Sequence, residues 1–281
     1  MKFPFDHHVH SVLSGDSEVP LEDRARTADG QRPHGVSEHF PSTHLRTDDD
    51  VLRYVELAKR LGLRAALEYD VGVAPRLRPS TRDALDYLVG GVHQVTVGGR
   101  EISFDAAGAF LKRRVHRYAD AAVFGREPEL GRAVLKEILR VLAVSFERDR
   151  VDVLAHPTFT PLAALGDPET RHPVEWQERL IALCARHGVA IEVNESYRVP
   201  HRAFVERAKE AGARFAVGSD SHAALLPLDF TMALIDEAGV GVRLREAAEL
   251  LTRSPALLPA ARRRGARGRP RGAGGRGSHR S

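Results

Sequence analysis

Short apolar segments alternate with longer amphipathic stretches along most of this chain. The apolar segments predict strands near residues 3–10, 35–39, 64–69, 88–95, 151–155, 189–194 and 214–219. The amphipathic stretches predict helices at 47–61, 106–118, 129–147, 173–187 and 200–211. Residues 120–128 are typical of a loop. Strands and helices that alternate in this way favour a parallel sheet with helical crossovers.

Each of the seven predicted strands ends on a side chain that can bind a metal ion. In the first strand Asp6, His8 and His10 share one face, because side chains alternate along a strand. The other six strands end at Glu38-His39, Glu68, His93, His156, Asn194 and Asp220-Ser221-His222. Active-site residues of parallel barrels lie at the carboxyl ends of the strands. The pattern therefore predicts an α/β fold, a distorted (β/α)7 TIM-like barrel with a metal site at those ends.

The chemistry of these side chains indicates the kind of ion. Imidazole and carboxylate together suit zinc, manganese or iron. The segments supply nine such groups, whereas a structural ion normally takes about four ligands. The excess favours a hydrolytic centre with several ions. We expect Asp6 to fix the tautomer of a ligand imidazole. We expect Glu38 to be either solvated or hydrogen-bonded to a metal ligand.

The composition narrows the class of protein. With 281 residues, 42% hydrophobic and 28% charged, the chain is typical of a globular protein. We find no apolar run of the roughly 20 residues that a membrane span needs, and no signal-peptide pattern. The single cysteine, Cys184, is expected to pack in a helix. These features predict a cytoplasmic protein without membrane partners.

The positive charge is concentrated at the end of the chain. Residues 262–281 contain eight arginines and no acid, so the net charge of +4 leaves −4 for residues 1–261. We therefore predict a hydrolase barrel at 1–254 and a disordered Arg/Gly-rich tail at 255–281. The tail is either a weak electrostatic arm for nucleic acid or a dispensable solvated end.

Eight short motifs follow one another between residues 3 and 222. They are Asp6-His-His-Val-His-Ser11, Ser14-Gly-Asp-Ser-Glu18, Gly35-Val-Ser-Glu-His-Phe-Pro41, Leu67-Glu-Tyr-Asp70, Asp86-Tyr-Leu-Val-Gly-Gly-Val-His93, Leu154-Ala-His-Pro157, Ile191-Glu-Val-Asn194 and Gly218-Ser-Asp-Ser-His222. In this order they resemble the polymerase and histidinol phosphatase (PHP) family, and most closely its histidinol-phosphate phosphatase branch.

The resemblance implies a distorted seven-stranded barrel that holds three divalent ions, either zinc, manganese or iron. The implied ligands are His8, His10, Glu68 and Asp220 for the first ion, Glu68, His93 and His156 for the second, and Asp16, His39 and His222 for the third. Of these, Asp16 depends mainly on the resemblance, because it lies in a predicted loop.

The resemblance also implies a reaction. A water between two divalent ions loses a proton near neutral pH, and the resulting hydroxide would hydrolyse L-histidinol phosphate to L-histidinol and phosphate, a step of histidine biosynthesis. Arg198 falls where such phosphatases place a phosphate-binding arginine. Enzymes that this branch resembles have a second arginine two residues after the histidine of the fifth strand. Thr158 occupies that position here, which leaves the exact substrate open.

Two alternatives remain open from the sequence. A nuclease or nucleotide phosphatase could use the same centre, since the basic tail would raise the local concentration of nucleic acid. The chain could also be a non-catalytic metal-binding protein, which Thr158 would favour.

Overall fold

The protein is described by a computed structural model over residues 4–30 and 32–240. Its strands are β1 (Gly35–Phe40), β2 (Arg64–Asp70), β3 (Tyr87–Gly91), β4 (Gln94–Val97), β5 (Arg100–Ser103), β6 (Val153–Leu154), β7 (Ala190–Asn194) and β8 (Phe215–Gly218). Its helices are α1 (Leu21–Gly30), α2 (Asp48–Arg60), α3 (Pro79–Ala84), α4 (Asp105–Leu111), α5 (Ala121–Arg126), α6 (Pro128–Asp149), α7 (Pro168–Arg171), α8 (Val174–His187), α9 (Arg202–Glu210) and α10 (Asp229–Ala238).

Six of the strands form one parallel sheet in the order β1-β2-β3-β6-β7-β8. Apart from the β4–β5 hairpin, this order follows the chain, as expected when helices connect each strand to the next. The register sets His39 of β1 beside Glu68 of β2. Two predicted ligands are therefore neighbours at the carboxyl edge of the sheet.

The predicted first strand closes this sheet into a barrel. Residues 5–10, here called the N-terminal segment, run between β1 and β8 and make bridges to both. Asp6 bridges in parallel to His34 and to Val217, and its carbonyl accepts a hydrogen bond of 3.0 Å from the backbone N–H of Gly35. The segment makes single bridges instead of a continuous ladder, so the barrel is distorted. The predicted fold class is confirmed.

Alternation along β2 separates the inside of the barrel from its outside. Ala66 belongs to a small cluster inside the barrel, whose members are Ala66, Tyr87, Val89, Val153, Ala155, Ala190 and Ala216. Leu67 and Tyr69 belong to the larger core beneath the helices. Glu68 is two residues after Ala66 and therefore points to the same side. Its carboxylate lies above an apolar floor.

The region after β3 differs from the prediction. A single strand was expected over 88–95, but β3 ends at Gly91 and a separate antiparallel hairpin of β4 and β5 follows. Gly98 and Gly99 have φ of 58° and 79°, the left-handed conformation that hairpin turns require. The Gly-Gly pair is thus the physical reason for the turn.

Two predictions about helices also differ from the structure, and four helices among the described residues were not predicted. The helix expected over 106–118 ends at Leu111, where a run of three cations begins and Arg113 takes a φ of 56°. The loop expected over 120–128 contains α5. Helices α1, α3, α7 and α10 were not predicted. The helices predicted at 47–61, 129–147, 173–187 and 200–211 are present within two residues at each end.

Two further expectations concern the core and the chain end. Cys184 is buried within α8, as predicted. None of the helices in the described part has the length and apolarity needed to cross a bilayer. The domain boundary at 254 and the tail at 255–281 lie outside the described residues and stay predictions.

Candidate metal centre

All the side chains predicted as ligands lie together at the carboxyl edge of the barrel. Each comes from the end of a strand or from the loop that follows it. The cavity above them is lined by seven of the nine, namely Asp16, His39, Glu68, His93, His156, Asp220 and His222. The other two, His8 and His10, are fully buried below the cavity.

Glu68 is the centre of this cluster and is only 1% exposed. Its Oε2 atom lies near three imidazole nitrogens: His8 Nε2 at 3.0 Å, His10 Nε2 at 3.4 Å and His39 Nδ1 at 3.0 Å. Its Oε1 atom lies near two others: His93 Nε2 at 3.2 Å and His156 Nε2 at 2.9 Å. One carboxylate thus joins two groups of imidazoles, as a ligand shared by two ions would.

Three compact sets of ligand atoms lie in this cluster. In each set the atoms are within 4.8 Å of one another, and the sets are His8, His10 and Asp220; Glu68, His93 and His156; and His10, His39 and His222. Asp16 is close to the third set, with Oδ2 at 2.9 Å from His222 Nε2 and 3.4 Å from His39 Nε2. These groupings match the three sets that the resemblance implies, with His10 between two of them.

The ring nitrogens of His8 and His10 test whether the cluster fits metal ions. In His8, Nδ1 lies 2.7 Å from Glu192 Oε1, and in His10, Nδ1 lies 2.8 Å from Ser14 Oγ. An Nδ1–H that donates to these oxygens leaves a lone pair on Nε2. Both Nε2 atoms are buried and make no hydrogen bond in the described part of the chain. Two buried lone pairs aimed into a carboxylate cluster fit a divalent cation.

The electrostatics of the cluster favour positive charge. Burial alone lowers the pKa of His39, but Glu68 and Asp16 outweigh it and raise this pKa to about 10. Burial likewise lowers the pKa of His93, which Glu68 and Asp70 raise to about 9. Burial acts to raise the pKa of Glu68, yet the surrounding imidazoles hold it well below its usual value. The carboxylates therefore stabilise cations at this position.

A buried carboxylate on β7 holds two of the imidazole-bearing residues. Glu192 contacts His8 through Oε1, and its Oε2 accepts a hydrogen bond of 2.6 Å from the backbone N–H of His156 and one of 2.9 Å from the side chain of Asn194. The sequence placed Asn194 among the metal-binding strand ends. In the structure its side chain instead donates to Glu192, the residue that orients the proposed ligands.

Glu38 has the corresponding role beneath His10. It is fully buried and accepts a hydrogen bond of 2.5 Å from Ser14 Oγ, the atom that contacts the His10 ring. The alternative that Glu38 is solvated is wrong. The role expected of Asp6 is also wrong. Its carboxylate accepts from the backbone N–H groups of His8 and Ser219 and pairs with Arg32, and within the described residues it contacts no ligand imidazole.

The cavity above the cluster has a volume of about 490 Å³. Apart from histidines, the cations that line it are Lys112 and Arg114, which follow α4. Lys112 Nζ lies 3.2 Å from Asp220 Oδ2. The sequence analysis did not identify these two residues, and no periodic pattern could have found them, because they follow a helix end in a loop.

Arg198 lies in a neighbouring cavity and not in this one. Its guanidinium carbon is 5.3 Å from the centre of the Phe230 ring, and the side chain is exposed. The second cavity, of about 410 Å³, shares Lys112, Arg114, Asp220 and His222 with the first. Thr158 is fully buried and does not line either cavity.

Fold and site together define a distorted parallel barrel with a histidine and carboxylate cluster suited to divalent metal ions. No protein-family model matches this chain. A protein of Shewanella piezotolerans named "Probable phosphatase" is 26% identical over 269 residues, which cover 92% of each chain. A protein of the same description from Shewanella sp. strain MR-4 is 26% identical over 274 residues, covering 92% of this chain and 90% of that one.

Two solved structures share the fold. The histidinol phosphate phosphatase of Lactococcus lactis, complexed with zinc, L-histidinol and phosphate, has a TM-score of 0.54 at 17% identity and covers 84% of this chain and 94% of its own. The putative histidinol phosphatase hisK of Listeria monocytogenes has a TM-score of 0.58 at 15% identity and covers 81% of this chain and 99% of its own. Both structures have the fold that the resemblance implies, and the curated relatives carry the name of phosphatases.

Proposed function

We propose that this chain is a metal-dependent phosphomonoesterase of the histidinol-phosphatase type, with L-histidinol phosphate as the first candidate substrate. The observation that carries the proposal is the contact of the Glu68 carboxylate with five imidazoles. A structural ion would need about four closed ligands. A larger set beneath an open cavity is what a hydrolytic centre requires.

The nine clustered side chains would hold three ions, with zinc, manganese and iron as the candidates. The ligand sets are those implied by the resemblance: His8, His10, Glu68 and Asp220; Glu68, His93 and His156; and Asp16, His39 and His222. When bound, such ions lower the pKa of water and neutralise phosphate oxygens.

Three further residues orient the proposed metal ligands or the substrate. Glu192 and Ser14 hold the rings of His8 and His10 in the tautomer whose Nε2 faces the ions. Arg198 is proposed as a substrate-binding residue that approaches from the neighbouring cavity, which shares Lys112, Arg114, Asp220 and His222 with the first.

The proposed substrate class is a small phosphomonoester. It is supported by relatives named as phosphatases and by the shared fold of a protein solved with L-histidinol and phosphate. A role in histidine biosynthesis and a cytoplasmic location stay predictions. The nuclease alternative depends on the basic tail, which lies outside the described residues, and no contact within them favours it.

The decisive experiment measures phosphate release from L-histidinol phosphate beside a panel of sugar, nucleotide and amino-acid phosphates. The protein is assayed as purified, after chelation, and after return of zinc, manganese or iron(II). We expect release that chelation abolishes and metal restores, with histidinol phosphate as the best substrate. Release from other esters only would reject the substrate, and no release from any ester would reject the activity.

A further inference from the structure

Lys112 is the most enclosed cation at the rim of the metal centre. It is the residue directly after α4, and its side chain is 13% exposed although it belongs to a surface loop. Its Nζ atom lies 3.2 Å from Asp220 Oδ2 and 4.0 Å from the centre of the Tyr197 ring. Tyr197 in turn stacks on Phe159 with ring centres 4.1 Å apart. An acid and an aromatic platform thus fix the ammonium group.

This ammonium group has hydrogen-bond donors to spare. Lysine carries three N–H donors, and in the described part of the chain Asp220 is the one acceptor that Lys112 reaches. The group lines both the metal cavity and the neighbouring one. A molecule in the metal cavity can therefore accept a charge-assisted hydrogen bond from Lys112.

The charges around the cavity explain why a cation is needed here. Its lining includes five carboxylates, at Asp16, Glu68, Asp70, Asp105 and Asp220, and these would repel a phosphate dianion. Bound ions would offset part of this charge. Among the non-histidine cations of the lining, Arg114 is exposed, so Lys112 is the one held in a fixed, poorly solvated position.

Asp220 lies between Lys112 and the proposed metal ligands, with one carboxylate oxygen toward each. Oδ1 faces His222 Nδ1 at 3.3 Å and His10 Nε2 at 3.6 Å, whereas Oδ2 faces Lys112. A phosphate with one oxygen toward the ions would present another toward Nζ. We infer that Lys112 binds the phosphate group of the substrate beside the ions. This inference rests on the proposed phosphomonoesterase function.

The test compares Lys112→Met and Lys112→Arg with Lys136→Met, which removes an exposed lysine of α6. Three quantities are measured: bound metal by mass spectrometry, kcat/KM on the best monoester, and binding of inorganic phosphate by the metal-loaded protein, from inhibition and calorimetry. We expect Lys112→Met to lower kcat/KM roughly 100-fold and to weaken phosphate binding roughly tenfold with metal content unchanged. Lys112→Arg should recover part of both, and Lys136→Met should match the parent protein.

Two results would overturn the role of Lys112. One is a Lys112→Met protein whose phosphate binding and kcat/KM equal those of Lys136→Met. The other is a loss of activity that follows loss of metal and returns when metal is added, since Lys112 would then only support Asp220. If the parent hydrolyses no monoester, the proposed function fails. The calorimetric comparison with inorganic phosphate then still decides whether Lys112 binds this anion.

Discussion

The Nδ1 atom of His8 lies 2.7 Å from Oε1 of Glu192, and both side chains are fully buried. The second oxygen of the same carboxylate accepts a hydrogen bond of 2.6 Å from the backbone N–H of His156. Glu192 therefore orients the N-terminal segment and the loop after β6 at once, from the strand that lies between β6 and β8. Its carboxylate couples residues of the first two proposed ion sites.

Replacing Glu192 with Gln should weaken metal binding without unfolding the protein. The amide keeps the shape but offers one acceptor oxygen where His8 and the N–H of His156 each need one. Loss of such a partner typically lowers metal affinity about 10- to 100-fold. Competition with a chromophoric chelator measures this affinity. Glu178→Gln, an exposed position on α8, is the control, and equal affinities for the two variants would contradict the role of Glu192.

Gly218 leaves the space through which Glu192 reaches His8. A Cβ atom at residue 218 would overlap the Glu192 carboxylate and lie 2.8 Å from Cβ of His8. We expect Gly218→Ala to lower the free energy of unfolding by roughly 1–3 kcal/mol and to reduce bound metal. Urea unfolding and metal analysis measure the two effects. Gly125→Ala, where a new Cβ meets no atom within 4 Å, should retain both properties.

The sequence could predict the barrel and the clustering of the proposed ligands, because both follow from local rules. Alternation places Glu68 on the same side as Ala66, and the parallel register then sets it beside His39. The same alternation, applied to β7, would have placed Glu192 on the inner face with Asn194. The role of Glu192 behind His8 follows from the sheet order, which brings β7 close to the N-terminal segment.

Other parts of the site depend on packing that a single sequence does not encode locally. Lys112 reaches Asp220 only because α4 ends early and its last turn packs near the barrel rim. Arg198 follows β7 as predicted, but its φ of 57° and its position over Phe230 place it in the neighbouring cavity. The positions of both cations are set by tertiary contacts that have no periodic signature.

Cys184 should be unreactive in the folded protein. Burial in α8 raises the pKa of its thiol, so the thiolate fraction at mildly alkaline pH is negligible and access is blocked. We expect no reaction with a disulfide reagent under native conditions and one reacting thiol in denaturant. The time course of absorbance measures both. Rapid native reaction would mean that α8 does not pack against the core as described.

Replacing Arg198 with Ala should have a smaller effect than replacing Lys112 with Met. The guanidinium is exposed, and exposed charges contribute about 0.2–1 kcal/mol, or at most about a fivefold rise in KM. Steady-state kinetics should show this rise while the turnover rate stays nearly unchanged, and Arg126→Ala on α5 should behave as the parent. A turnover rate that falls as far as the one expected for Lys112→Met would show that Arg198 acts on the reacting phosphate, contrary to its position in the neighbouring cavity.

Replacing Asp220 with Asn separates a catalytic centre from a metal site without catalysis. Asp220 belongs to the set with His8 and His10 and also faces Lys112, so loss of its charge affects both ion binding and the cavity rim. We expect metal-dependent phosphate release to fall at least about 1,000-fold, because the neutral amide would hold an ion more weakly and that ion supplies the activated water and the neutralising charge. The protein should remain folded, since the amide keeps the shape of the carboxylate. Asp236→Asn, exposed on α10, is the matched control.

Three outcomes of the Asp220→Asn experiment can be told apart by measuring metal content and turnover in the same samples. Loss of turnover together with loss of metal assigns Asp220 to ion binding, and loss of turnover with metal retained assigns it to the chemistry at the ions. Full turnover with metal retained would contradict its place in the centre. A parent protein that binds its ions but releases no phosphate from any ester would instead favour the non-catalytic alternative, because the variant would then have no activity to lose.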